Sequence, residues 1–125
     1  MEVVVSGTVR VPRMLVVEDD LLQMMGLFGL RTSGKAEIVW ADDLTRGLNA
    51  YDLHQWDFDA IVLDGNLGRG ETSVPLARYI NDTGFKGRRI RISGSPTIAA
   101  ELDAAGFKLS CPKPFLPRQL LKLAM

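Results

Sequence analysis

Acidic residues in this chain stand where apolar runs stop. Glu18, Asp19 and Asp20 follow Met14-Leu15-Val16-Val17, and Asp64 follows Ile61-Val62-Leu63. Carboxylates gathered in a partly buried crevice repel, at a cost of several kcal/mol, unless a cation separates them or one takes up a proton. All-oxygen donors of this kind suit Mg²⁺, which keeps several waters and is held by one or two carboxylates. Asn66, two residues past Asp64, could add its backbone carbonyl. Asp20 directly precedes Leu21 and reads as a helix cap. The alternative is that Asp19, Asp20 and Asp64 all cap helices, although one helix does not need three acids from two strands.

Two further residues are expected beside the acids, Ser93 and Lys113, the alternative for Lys113 being a solvated loop residue. Ser93 offers a hydroxyl, because Ser95 is the better placed of the two to cap the segment that begins Pro96. Lys113 precedes Pro114, which restricts it to extended geometry and so limits where its ammonium reaches.

These groups meet only if the chain folds as repeated βα units. Strands are expected at 14–17, 38–41, 58–63, 88–92 and 108–111. Helices are expected at 21–32, from Asp42-Asp43 to His54, at 73–82, at 96–105 and from Pro117 onward. Gly65-Asn66-Leu67-Gly68-Arg69-Gly70 is a loop. Strict alternation implies right-handed crossovers and a parallel sheet. The expected class is α/β, a flavodoxin-like doubly wound sheet of strand order 2-1-3-4-5, with its ligand crevice at the carboxyl ends of strands 1 and 3. In the first helix, Leu21, Met24, Met25 and Phe28 are expected inside, with Met24 and Met25 as core filler. The outer face would carry Leu22, Gln23, Gly26, Leu27 and Leu30, more apolar than a solvated face normally is.

Composition agrees with one domain. The chain has 125 residues, 46% of them hydrophobic, enough for a core without metal or disulfide staples. Residues 13–125 form that domain and 1–12 read as a flexible extension, with an extra edge strand or a dimer contact as the alternative. Fifteen basic residues balance fifteen acidic ones, so no global field draws the chain to nucleic acid or anionic lipid. No apolar run is long enough to span a bilayer, and the N-terminus lacks a signal-peptide pattern, so a cytoplasmic protein is expected. The single cysteine, Cys111, excludes an internal disulfide and reads as a small buried hydrophobe. Trp40 and Trp56 are assigned to packing, and His54 is solitary.

The runs Leu15-Val16-Val17-Glu18-Asp19-Asp20 and Ile61-Val62-Leu63-Asp64, the pair Ser93-Gly94 and the run Lys113-Pro114-Phe115 resemble, in order and spacing, the motif set of response-regulator receiver domains of the stand-alone, chemotaxis-regulator-like type. The resemblance covers residues 13–125. It implies that Asp64 accepts phosphate, that Glu18, Asp19, Asp64 and the Asn66 carbonyl hold Mg²⁺, and that Ser93 and Lys113 contact the phosphoryl oxygens. It also implies a two-component phosphorelay, with a histidine kinase or histidine phosphotransfer protein docking on the first helix around Leu22, Gln23 and Gly26. The alternatives for that surface are self-association, including a homodimer, or no more than a scatter of exposed leucines. The chain would be no enzyme beyond its own phosphorylation and dephosphorylation.

Two positions depart from the family pattern. Ser110 replaces the usual aromatic three residues before the lysine, so output must use another element or be unusually mild. Gly68 replaces a proline common four residues past the phosphoacceptor, from which a more mobile loop is expected. Two other functions compete: a pseudo-receiver serving as a constitutive interaction module, and a nucleotide- or flavin-binding domain. The latter needs a Ser/Thr/Gly-rich phosphate cradle after the first strand, where Glu18-Asp19-Asp20 is the electrostatic opposite.

Overall fold

The computed structural model describes residues 11–92, 95–112 and 116–125. Ser93, Lys113 and most of the N-terminal extension therefore lie outside the described residues. Those described form β1 (Arg13–Val17), α1 (Leu21–Thr32), β2 (Glu37–Ala41), α2 (Leu44–Leu53), β3 (Ala60–Asp64), α3 (Val74–Asp82), β4 (Arg88–Ile92), α4 (Pro96–Ala104), β5 (Leu109–Ser110) and α5 (Pro117–Ala124). The strands make one parallel sheet in the order β2-β1-β3-β4-β5, as expected.

The central strands are apolar on both faces because helices cover both. Leu15 and Val17 of β1 and Ile61 and Leu63 of β3 enter one core with Tyr51, Leu76, Ile80, Leu102 and Phe107. The alternating residues Met14, Val16, Ala60 and Val62 enter a second with Met24, Leu27 and Leu120. In β4 the same period-two rule puts Ile90 and Ile92 in the second core and leaves arginines at the alternate positions. Arg91 is satisfied there by the Phe107 carbonyl at 2.7 Å and by Asp103.

The caps fall where they were read. Asp20 accepts from the Leu22 amide, Asp43 from the Arg46 amide and Ser95 from the Ile98 amide. Several boundaries differ: the third strand extends to include Asp64, and the fifth is only Leu109–Ser110. Cys111 is buried just beyond it.

Helix α1 is rotated from the expected face. Leu27 and Leu30, expected outside, are buried, and Met25, expected in the core, is 58% exposed. Apolar residues occupy most positions around this helix, so the sequence alone leaves its rotation undetermined. Leu21 keeps the stripe's spacing but sits in the first turn, where it remains 53% exposed. The solitary His54 pairs through Nδ1 with the Arg13 guanidinium at the start of β1, the end of the sheet away from the acids.

Candidate functional site

Backbone bonds set the direction of each acid. The Glu18 amide donates to the Ala41 carbonyl at 3.0 Å, and the Trp40 indole N–H donates to the Glu18 carbonyl at 2.7 Å. Held on both sides by β2, Glu18 is completely buried, and its Oε1 accepts from the Asp20 amide at 3.0 Å. The acid run thus divides its labour: Asp20 caps α1, whereas Glu18 and Asp19 turn to the crevice. Asp64 ends β3 in register with Ile92, is 2% exposed, and accepts from the Asn66 amide at 3.2 Å through Oδ1.

One carboxylate oxygen from each of Glu18, Asp19 and Asp64 lies within 4.8 Å of the other two. Unit charges at that separation repel by roughly 3–4 kcal/mol per pair at an effective dielectric constant of about 20. Two of these groups are buried and the third is exposed. The donor set therefore fits a hard divalent cation reached from one side, with solvent able to complete its coordination.

The loop after β3 is a hydrogen-bonded turn. The Leu67 amide donates to the Glu71 carbonyl, the Glu71 amide to the Gly68 carbonyl, and the Gly68 amide to Asn66 Oδ1, each at 2.9 Å. Asn66 and Thr72 form an antiparallel bridge across it, and the Leu67 side chain is buried beneath. Gly68, Arg69 and Gly70 have φ of 81°, 56° and 74°, a left-handed run that reverses the chain. Glu71 Oε2 accepts the Leu44 amide at 3.2 Å and so ties the turn to the start of α2. No spacing in the sequence signals this bond, because it joins two loops through tertiary geometry.

Beside the acids opens a cavity of about 640 Å³, lined by Asp19, Asp42, Asp43, Arg46, Arg69 and Glu71 among others. Arg46 is engaged, holding both Asp42 oxygens at 2.7 and 2.9 Å, and that bond raises the guanidinium pKa above its ordinary value.

Of the residues expected at the site, Glu18, Asp19 and Asp64 come together, and Asn66 is bonded beside them through its amide. Ser93 directly follows Ile92, the register partner of Asp64. Both it and Lys113 fall outside the described residues. Trp40, assigned to packing, does meet Phe28 edge-on with ring centroids 5.9 Å apart, and it also touches the site by bonding the Glu18 carbonyl. Arg69 and Glu71 were not anticipated.

Solved structures share this architecture. A CheY-like receiver domain protein from Methanospirillum hungatei matches with a TM-score of 0.75 at 22% identity, covering 90% of this chain and 89% of that one. A receiver domain protein from Clostridium thermocellum matches with a TM-score of 0.77 at 17% identity, covering 91% of each chain. A Burkholderia pseudomallei response regulator, solved with a phosphorylated aspartic acid, a calcium ion and citrate, gives a TM-score of 0.76 at 20% identity. The match to that regulator covers 91% of this chain and 66% of the other. No protein-family model and no curated protein matches the sequence. The fold is that of response-regulator receiver domains, and the chain carries an acidic cluster that could hold a metal ion. No helix among the described residues is long and apolar enough to cross a membrane.

Proposed function

We propose that this chain is a phosphoacceptor receiver of a two-component phosphorelay, with Asp64 as the residue phosphorylated. The observation that carries this reading is the convergence of Glu18, Asp19 and Asp64 at the carboxyl ends of β1 and β3. Those three, with the Asn66 carbonyl, would hold Mg²⁺, which when bound neutralises charge between carboxylate and phosphoryl oxygens. An Asp64 oxygen attacks phosphorus in line, forming the O–P bond as the P–N bond of a phosphohistidine breaks. The electron pair stays on the imidazole nitrogen, which takes a proton. Ser93 and Lys113, assigned by resemblance, bind the phosphoryl oxygens.

The donor would be a histidine kinase or histidine phosphotransfer protein meeting α1. Of the apolar face expected there, Leu22 remains, 78% exposed, and Leu21 and Met25 join it. Output passes through protein contacts, without an aromatic at Ser110. The cytoplasm is the compartment such a relay requires.

A pseudo-receiver that only binds partners is the competing reading, favoured by Ser110 and Gly68. Incubation with a phosphohistidine donor and Mg²⁺ separates the two. Label transfer to the native chain, absent without Mg²⁺ and in Asp64→Asn, is the expected result. No transfer from any donor, with unchanged partner binding in Asp64→Asn, would favour the interaction module.

A further inference from the structure

Arg69 occupies a position where its backbone would be less strained as glycine. Its φ of 56° lies in the left-handed region that side chains avoid, and glycines with positive φ flank it. Packing does not account for the residue, since the side chain is exposed. Nor does pairing, since its guanidinium makes no hydrogen bond or ion pair among the described residues.

Its surroundings supply a reason. Arg69 lines the cavity that also contains Asp19 of the acidic cluster. Asp64 is not part of that lining, so Asp19 is the link between cavity and cluster; a phosphodonor reaching Asp64 past Asp19 would bring a dianionic phosphoryl group along a wall that holds Asp19, Asp42, Asp43 and Glu71. Arg46 offsets Asp42, and Asp43 and Glu71 accept amides at the start of α2. Among the described residues lining this cavity, Arg69 is then the cation without a carboxylate partner.

We propose that Arg69 recognises the dianionic phosphoryl group of small phosphodonors, acyl phosphates or phosphoramidates, as they approach Asp64. The inference rests on the receiver reading above. Arg69 forms no covalent bond and keeps its proton throughout. The donor's P–O or P–N bond breaks with its electron pair leaving on the donor, while an Asp64 oxygen forms the new bond to phosphorus. A guanidinium suits this role because it is always charged and its fork of donors matches phosphoryl oxygens.

The test compares native chain, Arg69→Gly and Arg69→Lys, using acetyl phosphate and phosphoramidate with Mg²⁺. Arg69→Gly should lower the second-order rate constant by about five- to tenfold, as expected for loss of one charge-assisted contact at an open site. Added salt should narrow the gap, because it screens the acidic wall that the variant no longer offsets. Arg69→Lys should recover most of the rate. Mg²⁺ affinity, followed by tryptophan fluorescence, should hold or rise, because the site loses a neighbouring positive charge, and the melting temperature of Arg69→Gly should equal or exceed that of the native chain. An unchanged rate and salt dependence in Arg69→Gly would overturn the inference alone. So would a loss of Mg²⁺ affinity in proportion to the rate. A native chain that no donor phosphorylates would overturn the receiver reading together with it.

Discussion

Gly68 stands against Asp19: a Cβ at position 68 would come 3.1 Å from Asp19 Oδ2, closer than side chains ordinarily pack. The turn after β3 thus closes over one edge of the acidic cluster. With φ at 81°, Gly68 also holds a conformation that a substituted residue resists. Gly68→Ala should cost about 1 kcal/mol or more of stability, measured by urea denaturation. It should also weaken divalent-cation binding, because Asp19 must move to make room.

Trp40 provides an internal probe of that cluster through its bond to the Glu18 carbonyl. Titrating Mg²⁺ should change Trp40 fluorescence, most cleanly in a Trp56→Phe background, since Trp56 stacks on Tyr51 away from the acids. Asp19→Asn and Asp64→Asn should each shift the titration to higher concentration, as one carboxylate is withdrawn from the set. A response that survives both substitutions unaltered would place the ion elsewhere.

The rotation of α1 separates stability from recognition. Leu27 is fully buried, so Leu27→Ala should cost about 2–5 kcal/mol. Leu22, 78% exposed, should change stability by no more than about 0.5 kcal/mol when replaced by alanine. The same Leu22→Ala change should slow phosphotransfer from a protein donor while leaving transfer from acetyl phosphate intact. Stopped-flow comparison of the two donors checks this.

Burial raises the Cys111 thiol pKa above its ordinary value, so the fold favours the neutral form. A thiol raised in the folded state adds nothing to pH dependence near neutrality. Stability should instead fall as pH climbs above the ordinary thiol range, because the unfolded chain then releases its proton first. Native Cys111 should also react with iodoacetamide far more slowly than the unfolded chain at pH 8, because it is only 2% exposed.

Much of this architecture could be read from the chain because local signals agreed with one another. Val16-Val17 and Ile61-Val62-Leu63 carry the marks of strands buried on both faces, and Asp20, Asp43 and Ser95 each cap the helix they precede. The gathering of Glu18, Asp19 and Asp64 followed from topology, since acids ending β1 and β3 must be neighbours in this strand order. Helix α1 resisted the same logic, because Leu21, Leu22, Met24, Met25, Leu27, Phe28 and Leu30 leave too few polar residues to mark an outside. The shape of the turn at 65–73 is hidden from the sequence for a different reason. Positive φ at Gly68, Arg69 and Gly70 shapes a turn that Glu71 fastens to Leu44, a tertiary bond that no spacing in the chain signals.

The central claim is that Asp64 itself becomes an acyl phosphate, and borohydride trapping tests it most directly. After incubation with Mg²⁺ and acetyl phosphate, reduction should convert Asp64 alone to homoserine, identified by peptide mass spectrometry and lost when Mg²⁺ is omitted. Homoserine at another aspartate, or none at all under conditions where the chain is folded and binds Mg²⁺, would contradict the account.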